Sequence, residues 1–233
     1  MNAEEIVSRL LYRDALMLVI DKPAGLPVHP GPKGGETLFH HLDALRFGLP
    51  RRPEAAHRLD KDTSGCLVLG RHPKAIARLN ELFRKGEVDK VYWAVVEGGP
   101  RAEEGEIDLA LAPKSPDRGW WMKVDPRGQP SLTRWRVLGR GEGLVLLELR
   151  PITGRTHQLR VHCAAMDFPI LGDPIYGTAP RFGGPGLHLH ARSVTVPLYP
   201  KKPPILVEAP VPEHMRERVE ACGIRMDGRG GPT

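Results

Sequence analysis

Glycine and proline punctuate the whole length of this chain. The 233 residues include 26 glycines and 24 prolines, which are spread out instead of being collected in one segment. Because both residues interrupt regular structure, this distribution predicts many short strands and turns and disfavours a disordered block. Many strands with interspersed helices, without regular alternation of the two, predict an α+β fold.

The clearest single element is a helix over 73–85. Pro73 stands in the first turn, where its missing N–H is harmless, and Gly86 follows as a left-handed stop. Other helical segments are predicted at 3–11, 36–46, 156–166 and 213–222. Strands are predicted at 16–21, 66–70, 91–97, 106–111, 119–124, 131–138, 143–149 and 188–196.

Composition narrows the protein class. The chain carries 34 Lys and Arg against 28 Asp and Glu, a net charge of +6 that is compatible with a nucleic-acid partner without requiring one. The three cysteines (Cys66, Cys163 and Cys222) are too few and too far apart for a disulfide scaffold or a cysteine-paired zinc site. The longest apolar run, 15–20, is far short of a membrane span, and no secretory signal is visible, so we expect a cytoplasmic protein.

The segment from His57 to Gly65 concentrates polar residues directly before a strand. A calcium loop is one interpretation, but the acidic ligand needed at its twelfth position would be Arg71. A plain turn, in which Asp and Ser bond their own backbone, is a second. A catalytic carboxylate on a loop held by a strand is the third, and spacing alone leaves the last two open.

A second polar cluster lies at 153–162. In a helix, His157 and Arg160 would share a face, and an arginine projecting into a cleft could keep a carboxylate ionised. A solvated basic helix face is the alternative. His157 and His162, or His188 and His190, could in principle bind a metal, but the spacings make this improbable. The sequence shows neither a phosphate-binding glycine loop nor a serine-hydrolase elbow.

Several segments, in order, resemble the RluA family of pseudouridine synthases. Residues 57–65 match HRLDxxTSG and residues 154–162 match GRTHQLRVH. The other matching segments are 21–29 (DKPxGxxVH), 91–98 (YxAxVxG), 169–177 (PILGD to YG) and 189–191 (LHA). The likeness spans about residues 15–200. It departs from the family pattern at 128–133, where Gln129 and Ser131 stand in the GKxAxT block.

The resemblance implies isomerisation of specific uridines to pseudouridine in ribosomal or transfer RNA, with no metal or other cofactor. By likeness, Asp60 is the catalytic carboxylate, Arg160 is the arginine that pairs with it, and Tyr92 is the aromatic residue placed against the base. The expected fold is α+β, with a mixed, mostly antiparallel sheet, flanking helices and a central cleft.

The resemblance also implies RNA contacts. Arg58 would fill the gap left in the base stack when the target nucleotide is turned out, and Leu159 would supply an apolar wall. Further substrate or RNA contacts are expected from His57, Thr63, Arg155 and Lys22. The segment 117–123, with Trp120 and Trp121, is either a hairpin that touches RNA or one whose tryptophans pack inward. Arg51 and Arg52 could join a phosphate-binding rim or form a solvated pair.

We expect a monomer with one catalytic domain over 1–222 and a flexible tail at 223–233. A non-catalytic RNA-binding module on the same scaffold is one alternative function. A hydrolase that cuts N-glycosidic bonds is another, and Asp62 would be the nearest candidate for the second acid that such an enzyme needs.

Overall fold

The computed structural model describes residues 1–31, 34–115 and 121–226. Its α-helices are α1 (Ala3–Ser8), α2 (Pro73–Lys85), α3 (Gln158–Ala165) and α4 (Glu213–Ala221), and a 3-10 helix covers Leu38–Leu45. Its strands are β1 (Leu10–Arg13), β2 (Met17–Lys22), β3 (Glu54–Ala55), β4 (Ser64–Gly70), β5 (Asp89–Glu97), β6 (Glu104–Asp108), β7 (Leu111–Pro113), β8 (Met122–Val124), β9 (Leu132–Gly141), β10 (Leu144–Pro151), β11 (Leu189–Val196) and β12 (Ile205–Glu208). The predicted α+β class with mostly antiparallel strands is confirmed. None of the helices described is long and apolar enough to cross a membrane.

The chain divides into two compact units. The first combines Met1–Lys90 with Ala191–Pro210, and the second combines Val91–His190 with the C-terminal segment from Val211. The single catalytic domain over 1–222 and the flexible tail stay predictions. Residues 227–233 of that tail lie outside the described part of the chain, whereas Ile224 and Met226 pack against a core cluster of the second unit.

The first unit is built on the strand order β1-β2-β4-β11, with β3 paired to β4 and β12 paired to β11. Alternate residues of β2 and β4, such as Met17, Val19 and Val68, enter one core cluster. Leu79 and Leu82 of α2 cover this cluster. Burying such side chains is worth roughly 1.5–3 kcal/mol each, so this packing fixes the strands that lead into and out of the 57–65 segment.

The second unit is built on the antiparallel strand order β5-β10-β9-β6, and β7 and β8 form a separate hairpin. Strand β5 is buried on both faces. Its Ala94 and Val96 pack with α3, while Trp93 and Val95 pack with α4. A strand covered by helices on both faces is well suited to hold Tyr92 in a fixed position.

The N-terminal elements correct two predictions. The predicted helix at 3–11 ends at Ser8, because Leu10 and Tyr12 pair with Ile20 and Val19 of β2. The segment predicted as helical at 36–46 does bury its leucines, but it forms a 3-10 helix. Spacing of apolar residues locates a buried face without distinguishing these two helix types over so short a segment.

Helix α2 confirms its predicted bounds at both ends. It begins at Pro73 and ends at Lys85, and the following C-cap residue, Gly86, has a left-handed φ of 71°. The side chain of His72 accepts a hydrogen bond from the Ala75 N–H and so caps the first turn. Local sequence thus suffices where both terminal signals are present.

Gly65 lies where the 57–65 segment enters β4. Its φ is +105°, and an added Cβ atom would overlap the carbonyl oxygen of Ala191 in β11. Only glycine fits both the conformation and this close approach. Two motifs that are distant in sequence, TSG (63–65) and LHA (189–191), therefore have their backbones in direct contact.

Substituting Gly65 by alanine tests this close approach. We expect Gly65→Ala to lower the free energy of unfolding by about 3 kcal/mol or more, because strain and overlap add. Gly25→Ala is the matched control, since Gly25 has a φ of +84° in the same unit but open space around its Cβ position. It should cost only about 1–2 kcal/mol. Equal losses in urea titrations of the two variants would refute the packing argument.

Candidate active site

Asp60 begins a turn between β3 and β4. Its carbonyl oxygen accepts a hydrogen bond from the Thr63 N–H at 3.2 Å, and the carbonyl oxygen of Lys61 accepts one from the Gly25 N–H at 2.9 Å. Asp60 is half-buried. The backbone that directly follows the predicted catalytic carboxylate is therefore held by hydrogen bonds.

Lys22 ties this turn to the neighbouring 21–29 motif. The side chain is fully buried, and its Nζ donates to the carbonyl oxygens of Pro23 at 2.8 Å, Leu26 at 2.9 Å and Lys61 at 3.1 Å. An ammonium group has three N–H donors, and three carbonyl oxygens receive them here. A direct contact of this ammonium with RNA, as predicted from the motif, would require some of these bonds to break.

The charge of Lys22 also acts on nearby carboxylates. Burial lowers its pKa to about 8, while attraction to Asp62, Asp60 and Asp21 opposes that shift. Lys22 is therefore mostly protonated at neutral pH. In the other direction, burial raises the pKa of Asp21 to about 6, against the attraction of Arg9 and Lys22. A buried cation thus lies beside the turn that carries Asp60.

His57, the first residue of the 57–65 segment, is fixed by two contacts. Its Nε2 accepts a hydrogen bond from the Val68 N–H at 3.0 Å, and its ring stacks on Phe83 of α2 at a centroid distance of 4.4 Å. Burial lowers the pKa of His57 to about 3, so the ring is neutral and can accept this bond. Its predicted RNA contact stays a prediction, and these contacts give the ring an internal structural role as well.

The remaining predicted RNA-contact residues of the first unit differ in exposure. Arg58 is exposed, whereas Thr63 is buried at 2% exposure. Arg52 lies over the ring of Phe39, with 3.6 Å between the guanidinium carbon and the ring centroid. Arg58 therefore meets the accessibility that its predicted role requires.

Tyr92 and Leu159 belong to one hydrophobic cluster of the second unit. Tyr92 lies on β5 opposite Leu149 of β10 and is half-buried against this cluster. Leu159, at the start of α3, is a buried member of it at 7% exposure. The structure thus brings together two of the predicted site residues.

Arg160 makes a buried bidentate ion pair that the sequence did not predict. Its Nε donates to Asp173 Oδ2 at 2.7 Å, and its Nη2 donates to Oδ1 at 2.8 Å. The two side chains are 3% and 1% exposed. Burial alone would raise the pKa of Asp173, but Arg160 and the N–H groups of Ile175 and Tyr176 lower it below its ordinary value. The pairing of Arg160 with Asp60 stays a prediction.

Gln158 fixes the turn that leads into α3. Its Oε1 accepts hydrogen bonds from the Thr153 hydroxyl and the Arg155 N–H, and its Nε2 donates to the Leu132 carbonyl and the Thr133 hydroxyl oxygen. Helix α3 begins two residues later than predicted, because His157 has a left-handed φ of 53°. The Nδ1 atom of His157 lies 2.8 Å from the Tyr176 hydroxyl.

The predicted contact residue Arg155 is exposed, and its Nε donates to the Pro130 carbonyl oxygen at 3.2 Å. His162 is a core histidine, which lies within hydrogen-bond distance of the Thr133 hydroxyl and the Leu109 carbonyl oxygen. Trp121 lies beside β8, and Trp120 lies outside the described residues.

Sequence reasoning missed Asp173 and Gln158 as site-forming residues. Both lie in segments that carried the family likeness, 169–177 and 154–162. A physical signal for Asp173 was available, because an arginine that is buried in a helix requires a carboxylate partner. Asp173 is a carboxylate within the family-like segment 169–177.

Comparison with known proteins identifies the class. A sequence model of the RNA pseudouridylate synthase family matches residues 16–165, which include Lys22, Asp60, Tyr92 and Arg160. The chain belongs to this family, and the resemblance to pseudouridine synthases is confirmed. The family acts on RNA, and the chain is an isomerase of the RNA pseudouridine synthase type.

Individual relatives support the same family assignment. The chain is 46% identical over 210 residues to a Zymomonas mobilis protein named as an uncharacterized RNA pseudouridine synthase, covering 89% of this chain and 95% of the relative. It is 34% identical over 222 residues to the ribosomal large subunit pseudouridine synthase C of Vibrio cholerae, covering 91% and 69%. The solved structure of human RNA pseudouridylate synthase domain containing 4 has a TM-score of 0.80 at 29% identity, with 97% of both chains covered.

A Lys22→Met variant tests the buried ammonium through pH. The folded-state pKa of about 8 lies below the ordinary 10.5, so the unfolded protein binds more protons between these values. Lys22 should therefore make the parent's free energy of unfolding rise by up to about 3 kcal/mol from pH 8 to 10.5. Lys22→Met should lack this rise. Subtracting the pH profile of the variant from that of the parent removes the contributions of titratable groups that both proteins share. Parallel pH profiles in urea titrations would contradict the buried charge.

An Asp173→Asn variant tests the contribution of the buried ion pair to the stability of the second unit. It leaves the Arg160 guanidinium buried without its counter-charge, so we expect a loss of about 3–5 kcal/mol of stability. Glu106→Gln is the control, because Glu106 pairs with Arg134 through side chains that are 54% and 60% exposed. That change should cost less than about 1 kcal/mol. A similar small loss for both variants in thermal unfolding would show that the buried pair is not structurally important.

Proposed function

We propose that the protein converts specific uridines to pseudouridine in ribosomal or transfer RNA, with Asp60 as the catalytic carboxylate. Family membership over residues 16–165 supports the reaction. The name of the Vibrio cholerae relative, a ribosomal large subunit enzyme, favours ribosomal RNA as a substrate. The observation that carries the proposal for Asp60 is its place on a turn held by a buried ammonium group.

The reaction rearranges one nucleotide without net gain or loss of atoms. The bond between the anomeric carbon and ring nitrogen one breaks, the uracil rotates, and a bond forms from the same sugar carbon to ring carbon five. Carbon five then loses its proton, and nitrogen one gains one. Release of the carbon-five hydrogen is therefore a direct measure of turnover.

Asp60 serves this reaction in its ionised form. A carboxylate at the sugar can attack the anomeric carbon or deprotonate the sugar near that carbon, and either role requires the negative charge. The buried Lys22 ammonium attracts the Asp60 carboxylate. The hydrogen bonds accepted by the carbonyl oxygens of Asp60 and Lys61 hold the backbone that carries the carboxylate, which lowers the entropy lost on reaching the reactive geometry.

Tyr92 and Arg160 are the other proposed catalytic residues. The half-buried position of Tyr92 in a hydrophobic cluster suits a ring that contacts the uracil and helps with proton transfer. A guanidinium has five N–H donors, and the ion pair with Asp173 uses two of them in a fixed plane. The ion pair fixes the plane of the guanidinium, and we propose Asp60 as a second carboxylate partner of Arg160, as the family likeness implies.

The proposed RNA contacts are two exposed arginines and one buried leucine. Arg58 is exposed and directly precedes Leu59 and Asp60, so it can enter the base stack when the target nucleotide is turned out. Leu159 supplies an apolar wall beside Tyr92. Arg155 is exposed at the turn before α3, where it can reach a phosphate.

The decisive variant is Asp60→Asn, which removes the charge and keeps the shape. We expect tritium release from RNA labelled at ring carbon five of uridine to fall by about 10⁴-fold or more, with RNA binding retained. The RNA should be ribosomal and transfer RNA from cells that lack this protein, so that its target uridines are unmodified. Asp62→Asn is the matched control in the same turn and should keep tritium release.

Other outcomes identify the alternatives. Parent-level release by Asp60→Asn would overturn the role of Asp60. RNA binding by the parent without any tritium release would indicate a binding module instead of an enzyme. Free uracil in the product, lost in Asp62→Asn, would indicate a hydrolase.

A further inference from the structure

An exposed loop with a projecting aromatic ring follows Tyr176 in the second unit. Residues 181–186 are all exposed, and the Phe182 side chain is 87% exposed. The loop from Gly177 to Leu187 contains no acidic residue, and Arg181 directly precedes the phenylalanine. An exposed aromatic ring beside a cation has the two features that single-stranded nucleic acid can use, a stacking face and a positive charge.

The two ends of this loop are anchored. At its start, the Thr178 hydroxyl donates to the Glu97 carboxylate at 2.8 Å. At its end, Gly172 approaches Gly186 so closely that an added Cβ atom would overlap the Gly186 carbonyl oxygen. A compact surface loop whose ends are close together is a frequent location of function.

The tip of the loop is a bend over residues 181–184. Gly184 packs against Pro180, since an added Cβ atom would lie 2.9 Å from the proline ring. Gly183 has a left-handed φ of +71°. The bend leaves Arg181 and Phe182 exposed next to each other.

The loop joins a cluster of cations and aromatic rings. Trp121 lies between two cations: the Lys114 ammonium is 5.5 Å from its ring centroid, and the Arg181 guanidinium carbon is 5.8 Å away. The next residue, Met122, donates its N–H to the Tyr176 hydroxyl at 2.9 Å. Tyr176 in turn lies under the Arg160 guanidinium, 5.2 Å from the ring centroid. Direct contacts thus connect the cluster to a proposed catalytic residue.

We propose that Phe182, Arg181 and Trp121 form a binding site for unpaired nucleotides that flank the target uridine. Phe182 stacks on one nucleobase, Arg181 binds a phosphate of the same strand, and Trp121 offers a second aromatic surface. This site rests on the proposed function, because it assumes that the substrate is RNA. Alternating aromatic rings and cations match the alternating bases and phosphates of a single strand.

A binding experiment tests the site. The probe is a fluorescein-labelled single-stranded dodecamer of uridine, and the readout is the Kd from fluorescence anisotropy with the full chain. Phe182→Ala should raise the Kd by about fivefold or more, and Phe182→Trp should restore it, because stacking needs only an aromatic face. Leu206→Ala is the control, since Leu206 is 61% exposed in the first unit and should leave the Kd unchanged.

Two further readouts separate stacking from charge. With a dodecamer that has an abasic sugar at every position, Phe182→Ala and the parent should bind equally. Arg181→Gln should lower the slope of log Kd against log salt concentration by about 0.7, whereas Phe182→Ala should leave that slope unchanged. A Kd of Phe182→Ala within twofold of the parent, or an equal loss on the abasic strand, overturns the stacking role.

Kinetics distinguish this proposal from the proposed function. In the tritium-release assay, Phe182→Ala should raise KM with kcat unchanged within about twofold. If Asp60→Asn abolishes release and Phe182→Ala has the KM of the parent, the loop proposal fails and the enzyme assignment stands. If the parent releases no tritium, the enzyme assignment fails, and the dodecamer measurements still decide whether Phe182 stacks on bases.

Discussion

The ammonium of Lys22, buried among three carbonyl oxygens, is the interaction on which the first unit's candidate site depends. A cation removed from water must be satisfied by nearby acceptors, and two of its acceptors, Leu26 and Lys61, come from different segments. One charged group therefore joins the 21–29 motif to the turn that carries Asp60. Gly65 adds a steric constraint, because its contact with Ala191 allows no side chain.

The second unit uses the same physical principle with a different pair. Arg160 and Asp173 are both almost fully buried, and the carboxylate of Asp173 also accepts N–H bonds from Ile175 and Tyr176. Such a pair adds little stability over apolar residues, but it fixes the plane of the guanidinium. The cost of burying these charges is understandable if orientation of the charged groups is what the reaction requires.

The sequence predicted the elements whose signals are local and failed where tertiary pairing decides. Helix α2 was located to the residue, because Pro73 and Gly86 mark its ends. The helix at 3–11 was too long, since pairing of Leu10 with Ile20 overrides local pattern, and the short strands β3 and β12 carried no usable pattern. Among site residues, the motif could not show that the Lys22 side chain is buried, because it gives residue type and not burial, and the RNA contact of Lys22 stays a prediction.

Amide hydrogen exchange in the parent and in Lys22→Met is the most direct test of the buried cation's role. The amides of Gly25 and Thr63 report on the turn, because they donate to the carbonyl oxygens of Lys61 and Asp60. If the ammonium holds the turn, both should exchange at least about tenfold faster in the variant, while the Ile76 amide at the start of α2 keeps its protection. Unchanged protection of Gly25 and Thr63 in a folded variant would contradict the central claim.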